Sequence, residues 1–278
     1  MDYVGQIFRP PAEHNSILLQ VTIGCSHNEC GFCEMYRAKQ FRVKNSKQIE
    51  ADLDYAAKYY RDKTRLFLCD GDAMVLSKNK LVQILKLIAE KLPWVQTVSS
   101  YVYEKNLQNK SVEDLAELRA LNLKVLHMGL ESGHSETLAF HHKQSNPNFI
   151  IEQGRKIRDA KIKLSLTVIL GLGGVENSLE HARETGRVIS EINPNFVGVL
   201  SLMITEGTPL FKEFQSGKFQ KISQHQEFAE LREMVKHTDL KSGIFSVNHA
   251  SNAIPIQARF PREKEAVLNF LDQVLANY

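Results

Sequence analysis

The chain has 278 residues, 43% hydrophobic and 24% charged, and its 35 Lys and Arg against 32 Asp and Glu leave a net charge of +3. That length and apolar fraction allow a large buried core, fall in the range of a single α/β barrel, and exclude collagen, disorder and a disulfide-rich mini-protein. The near balance of charge does not point to nucleic acid, no apolar run reaches the ~18 residues a bilayer needs, and residues 1–16 carry no signal-peptide apolar core, so a cytoplasmic protein without a membrane partner is expected.

Taken in chain order, short apolar runs alternate with amphipathic stretches. Residues 17–24 predict a strand, followed by a cysteine-bearing loop and a helix over 47–61. A strand over 65–69 ends in Asp-Gly-Asp and leads to a helix over 78–91. A third strand covers 95–103, and Ser111 with its acidic successors opens a helix over 111–121. Strands over 124–130, 163–170 and 196–204 are each followed by a helix, over 148–160, 179–192 and 224–237. A late strand over 243–248 and a helix over 262–276 complete the chain. Strands alternating with helices predict a parallel sheet with right-handed crossovers. The expected fold is α/β, a partial (βα)6 TIM-like barrel with a short C-terminal extension. It is read as one domain over 1–278, with its core about 17–210 and the extension about 211–278. Chemistry in such a fold gathers at the C-terminal ends of the strands.

The strongest signal is Cys25-Ser-His-Asn-Glu-Cys30-Gly-Phe-Cys33, directly after the first strand. Soft thiolates on one loop suit iron–sulfur chemistry: Cys25, Cys30 and Cys33 would hold three irons of a [4Fe–4S] cluster. With no fourth cysteine nearby, one iron stays open to an outside ligand. A zinc site is the alternative, with His27 as fourth donor. Cys69, on an apolar strand, reads as a small core residue. His127 reads as a hydrogen-bonded core histidine or a substrate contact, and Asn248, His249, Ser251 and Asn252 form a polar cluster after the late strand. The basic residues read as scattered, without the aromatic-interleaved stripe that single-stranded nucleic acid requires.

Further segments then fall in order: Asp70-Gly71-Asp72 at the end of strand two, His127-Met-Gly-Leu-Glu-Ser-Gly133 at the end of strand four, and Val168-Ile-Leu-Gly-Leu-Gly-Gly174 at the end of strand five. With Glu206-Gly-Thr-Pro-Leu210, they make the chain resemble the radical S-adenosylmethionine (SAM) enzymes. The likeness is to the subgroup of oxygen-independent coproporphyrinogen oxidases, methylthiotransferases and the elongator catalytic subunit. The cysteine spacing is C-x4-C-x2-C where the family usually has C-x3-C-x2-C. The resemblance implies reductive cleavage of SAM at the cluster to a 5′-deoxyadenosyl radical, which takes hydrogen from a small-molecule substrate. Flavodoxin or ferredoxin would supply the electron. It also implies that Phe32 lies against adenine, that Gly71 and Asp72 hold the SAM amino group, and that Glu131 meets the ribose or carboxylate. Lys143 would pair with the carboxylate, and Thr167 and Ile169 would line the adenine. The Gly-Thr-Pro-Leu turn is given no chemical role. Outside the resemblance, an iron–sulfur electron-transfer protein and a zinc-binding regulatory domain stay open.

Overall fold

The computed structural model describes residues 1–277, which fall into two compact units. The first comprises Met1–Asn28, Met35–Met128 and Lys156–Lys163; the second comprises Glu29–Glu34, Gly129–Arg155 and the chain from Leu164 onward. Among the described residues, no helix is long and apolar enough to cross a membrane.

In the first unit, β1 (Ile17–Gln20), β2 (Thr22–Ile23) and β3 (Arg42–Val43) are followed by α1 (Ser46–Tyr59) and β4 (Arg65–Cys69). Then come α2 (Lys78–Lys91), β5 (Thr97–Val102), α3 (Val112–Ala120) and the start of β6 (Leu123–Glu131). β1, β4, β5 and β6 pair in parallel, in that order, with Leu19 beside Leu68, Phe67 beside Ser99 and Ser100 beside Leu126. The helices form because apolar residues recur every three or four positions: Ile49, Leu53 and Ala56 on α1, and Leu81, Ile84, Leu85 and Ile88 on α2 are all buried. Each Leu or Ile buried in this way contributes roughly 1.5–3 kcal/mol. Asn45 and Ser77 cap the two helices, and Ser111 with Asp114 closes a capping box on α3.

The second unit runs through α4 (Ser135–Phe140), α5 (Pro147–Asp159), β7 (Lys163–Leu170), α6 (Gly174–Ile192) and β8 (Phe196–Ser201). It continues with α7 (Pro209–Gln215), α8 (Gln224–Lys236), β9 (Gly243–Ser246), β10 (Gln257–Phe260) and α9 (Lys264–Ala276). β7, β8 and β9 are parallel neighbours, and β10 joins β9 antiparallel. Along β7, Leu164, Leu166, Val168 and Leu170 are buried while Ser165, Thr167 and Ile169 are half-exposed on the opposite face. The class is α/β: parallel strands alternate with helices in both units.

Several boundaries differ from the expectation. The run over 17–24 is two strands, because after Val21 the chain bends to pair antiparallel with β3, Thr22 beside Val43. The third strand is shorter than read, and the sixth ends at Ser201. α6 begins at Gly174 and not at 179, since Gly171 and Gly174 adopt φ of +80° and +63° and turn β7 directly into the helix. α4 and α7 were not foreseen; six or seven residues carry too little periodicity. α7 starts at the presumed turn, with Thr208 as N-cap and Pro209 in the first position. β10, Gln257–Phe260, was not foreseen either. The basic residues are not wholly scattered either: Lys58, Arg61 and Lys63 stand over the rings of Tyr59, Trp94 and Tyr60 near the end of α1.

Candidate functional site

In the first unit the site is built where β4 ends. Gly71 lies so close to the cysteine loop that a Cβ there would come 2.6 Å from Cys25 Cβ and 2.8 Å from Cys25 Cα. The Gly71 amide donates to the Gly24 carbonyl at 3.0 Å, fixing the residue just before Cys25. Glycine at 71 is therefore required by the cysteine loop, whatever else it touches. Gly71→Ala must push the Cys25 backbone away, because the clash is with main chain. The expected result is loss of most of the iron bound after anaerobic reconstitution, and a wild-type iron content would show that the loop yields at no cost.

Asp72, the next residue, is fully buried. Its Oδ2 accepts from Ser26 Oγ at 3.0 Å and from Asn106 Nδ2, while Oδ1 has no hydrogen-bond partner. Burial raises its pKa to about 6, against hydrogen bonds from Asn106, Ser26 and the Tyr103 backbone and the charge of Lys110, which lower it. Asn106 also donates to Ser26 Oγ at 3.0 Å, and Lys110 Nζ donates to the Asn106 carbonyl at 2.9 Å. A buried carboxyl with an open oxygen suits a cationic ligand group. Ser26, Asn106 and Lys110 were missed as its supports, because only the tertiary fold brings three separate loops together. His27, the nitrogen donor of the zinc alternative, stacks on Tyr103 with ring centroids 4.9 Å apart.

In the second unit, the tip of the cysteine loop is held by backbone contacts. Cys33 N–H bonds to the Cys30 carbonyl at 3.1 Å, Gly31 N–H to the His141 carbonyl at 2.7 Å, and Leu210 N–H to the Gly31 carbonyl at 3.0 Å. The Thr-Pro-Leu segment thus anchors the loop, a role its sequence did not suggest. Phe32 packs on a cluster of Leu172, Leu202, Leu210 and Phe219, which Ile169 also touches. Phe32 meets His141 edge-on, with centroids 5.6 Å apart. Burial pushes the His141 pKa down to about 4, and its Nε2 bonds to the Leu172 carbonyl at 2.8 Å.

Gly-Leu-Glu-Ser-Gly ends β6 in the same unit. Glu131 sits at φ +63°, and a Cβ on Gly129 would lie 2.1 Å from its Oε1, so Gly129 makes room for that carboxylate. Ser132 Oγ bonds to His181 Nδ1 at 2.7 Å, and Gly133 N–H to Thr185 Oγ1 at 2.8 Å, fastening the turn to α6. His181 Nε2 faces the Ile169 carbonyl at 3.1 Å, and burial lowers its pKa to about 3, so the neutral ring donates there and accepts from Ser132. One buried histidine thus links the ends of β6 and β7. Thr167 and Ile169 share the half-exposed face of β7. Lys143 is buried just beyond α4, its amide bonded to the Leu138 carbonyl at 3.0 Å.

Cys25, Cys30 and Cys33 form no disulfide and are of intermediate exposure, whereas Cys69, also outside any disulfide, is buried. Burial raises the Cys69 pKa far above the ordinary thiol range, which disfavours the thiolate a metal needs. The donor set on the loop suits an iron–sulfur cluster by its chemistry: soft, accessible and not tied up in disulfides. Among the described residues, no three His, Cys, Asp or Glu side chains are gathered as they would be around one metal ion. Thiolates of a cluster each bind a different iron and need no such gathering.

A family model described as the radical SAM superfamily matches residues 19–186. The uncharacterized protein MJ0486 of Methanocaldococcus jannaschii is 22% identical over 233 residues, covering 80% of this chain and 71% of that one. The heme chaperone HemW of Bacillus subtilis is 25% identical over 177 residues, 63% of this chain and 45% of its own length. Among solved structures, coproporphyrinogen III oxidase (HemN) of Escherichia coli, described as a radical SAM enzyme, superposes with a TM-score of 0.57 at 18% identity. That match covers 80% of this chain and 51% of HemN, so the chain spans about half the length of that enzyme. The likeness to HemN shows a shared fold.

Proposed function

Because the chain belongs to the radical SAM superfamily, whose members are enzymes using a [4Fe–4S] cluster and SAM, we propose that it cleaves SAM reductively and directs the resulting radical at a small-molecule substrate. Cys25, Cys30 and Cys33 would hold the cluster, which would leave one iron open to SAM. When bound, the cluster and SAM supply the radical chemistry: one electron yields methionine and a 5′-deoxyadenosyl radical that abstracts hydrogen. The chain's own residues bind and orient. Asp72 would accept an N–H of the SAM amino group on its open oxygen, Gly71 would hold the turn beside it, Glu131 would meet the ribose, and Lys143 would neutralise the carboxylate. Phe32, Thr167 and Ile169 form the apolar and hydroxyl wall for adenine. The whole chain acts as one catalytic domain in the cytoplasm, with flavodoxin or ferredoxin as electron donor.

The observation that carries this reading is the end of β4. A glycine that only a close-pressed Cys25 requires stands next to a fully buried acid with one open oxygen. A thiolate and a cation-seeking carboxyl side by side are what SAM at an iron site needs. The test is to reduce anaerobically reconstituted protein in the presence of SAM and follow 5′-deoxyadenosine and methionine. Formation of both is expected. A cluster that takes up electrons without consuming SAM would mark an electron carrier, and stoichiometric zinc without iron would mark a zinc domain; either overturns the proposal.

A further inference from the structure

The first aspartate of Asp-Gly-Asp points away from Asp72 and serves the other side of the turn. Asp70 is fully buried and sits at φ +66°, a left-handed conformation that costs a non-glycine residue and must be held by its surroundings. Its Oδ2 accepts from the Gly24 amide at 2.7 Å, from Gln20 Nε2 at 2.9 Å and from Lys39 Nζ at 2.9 Å. Lys39 also reaches Asp70 Oδ1 at 3.1 Å and is itself only 7% exposed. Gly24 immediately precedes Cys25, and Lys39 follows Cys33 by a short stretch, so a single carboxylate holds the chain on both sides of the cysteine loop. The two ends also meet directly, since a Cβ on Gly24 would lie 3.3 Å from Lys39 Cβ and from the Lys39 carbonyl.

We propose that Asp70 and Lys39 are positioning residues that clasp the base of the cysteine loop and fix the direction in which Cys25 presents its thiol. The inference rests on the reading of Cys25 as a cluster ligand. Gly24 is gripped at both backbone groups by consecutive residues: Asp70 takes its N–H, and Gly71 N–H gives to its carbonyl. Gly24 stands at φ +77°, so rotation about its backbone would swing Cys25 freely without that double grip. Lys39 supplies the opposite charge beside this buried carboxylate, 2.9 Å from its Oδ2. The clasp acts on Cys25 alone. The tip carrying Cys30 and Cys33 donates from Gly31 N–H to the His141 carbonyl and accepts from the Leu210 amide, and neither bond involves Asp70.

That division yields a test independent of cluster chemistry. In full-length apoprotein, the four cysteines are alkylated briefly with iodoacetamide and the modification at each site is read by mass spectrometry. Asp70→Ala should raise the rate at Cys25 relative to Cys30, Cys33 and Cys69 by ~10-fold or more, as loss of one or two charge-assisted hydrogen bonds implies. Asp70→Asn keeps an oxygen for the Gly24 amide and should restore most of the wild-type ratio. Lys39→Met should show a smaller rise with the same Cys25 selectivity. If labelling at Cys25 is unchanged, or rises only in step with buried Cys69 as in general unfolding, the clasp is not a positioning device and the proposal fails. Failure of the wild type to load a cluster would instead overturn the functional reading and leave this result standing.

Discussion

Replacing Cys25, Cys30 and Cys33 together by alanine is expected to take bound iron after anaerobic reconstitution from about four per chain to none, by cluster stoichiometry. The three thiols are in no disulfide and partly exposed, and no other cysteine stands in for them, since burial disfavours the Cys69 thiolate. Cys69→Ser should therefore keep the full iron content and the same electron paramagnetic resonance spectrum. The single variants carry more information. Cys25 is pressed on Gly71, while Cys30 and Cys33 sit on a tip bonded to His141 and Leu210. Losing any one ligand should leave a depleted, labile cluster. Iron and acid-labile sulfide analysis decides the matter: a triple variant that retains a full cluster would remove the assignment.

The fold class was legible because βα alternation is written in short-range periodicity. Lys163–Leu170 and Lys78–Lys91 were read to the residue, since one alternates cleanly and the other repeats apolar positions between a Ser cap and Pro93. Elements were missed where pairing or turn geometry overrides pattern. β2 leaves an apolar run to pair with β3, and α6 starts on glycines that read as strand-end punctuation. The site was legible in its ligands but not in its supports. Thiolates and acids announce themselves by type and spacing. Asn106, His141 and His181 do not, because each is meaningful only through a partner dozens of residues away, and neither does Lys110, which bonds the Met74 carbonyl as well as Asn106. Asp-Gly-Asp shows the limit best: as sequence it is one acidic turn, whereas in space its two carboxylates serve different tasks, one on the cysteine loop and one beside Ser26 and Asn106.

Asp72→Asn is expected to weaken SAM binding by ~10–100-fold, the equivalent of one charge-assisted hydrogen bond of about 1.5–3 kcal/mol. The same change is expected to stabilise the apoprotein. Burial raises the Asp72 pKa from 3.8 to about 6, so the folded chain binds more protons than the unfolded one between those values. Stability therefore falls as pH rises through that window, and above it the buried carboxylate costs about 3 kcal/mol. An amide avoids that cost while its oxygen still accepts from Ser26 and Asn106. SAM restores the balance, because an N–H of its amino group bonds best to the ionised acid. Binding to the wild type should then weaken as pH drops below about 6, approaching tenfold per unit, and the Asn variant should lose this dependence. Calorimetric titration of SAM into cluster-loaded protein from pH 5 to 8, beside thermal unfolding of the apo forms, measures both effects. Equal SAM affinity and equal pH profiles for the two proteins would show that the open oxygen of Asp72 meets no donor of SAM, and the burial of this acid would have to be explained by the fold alone.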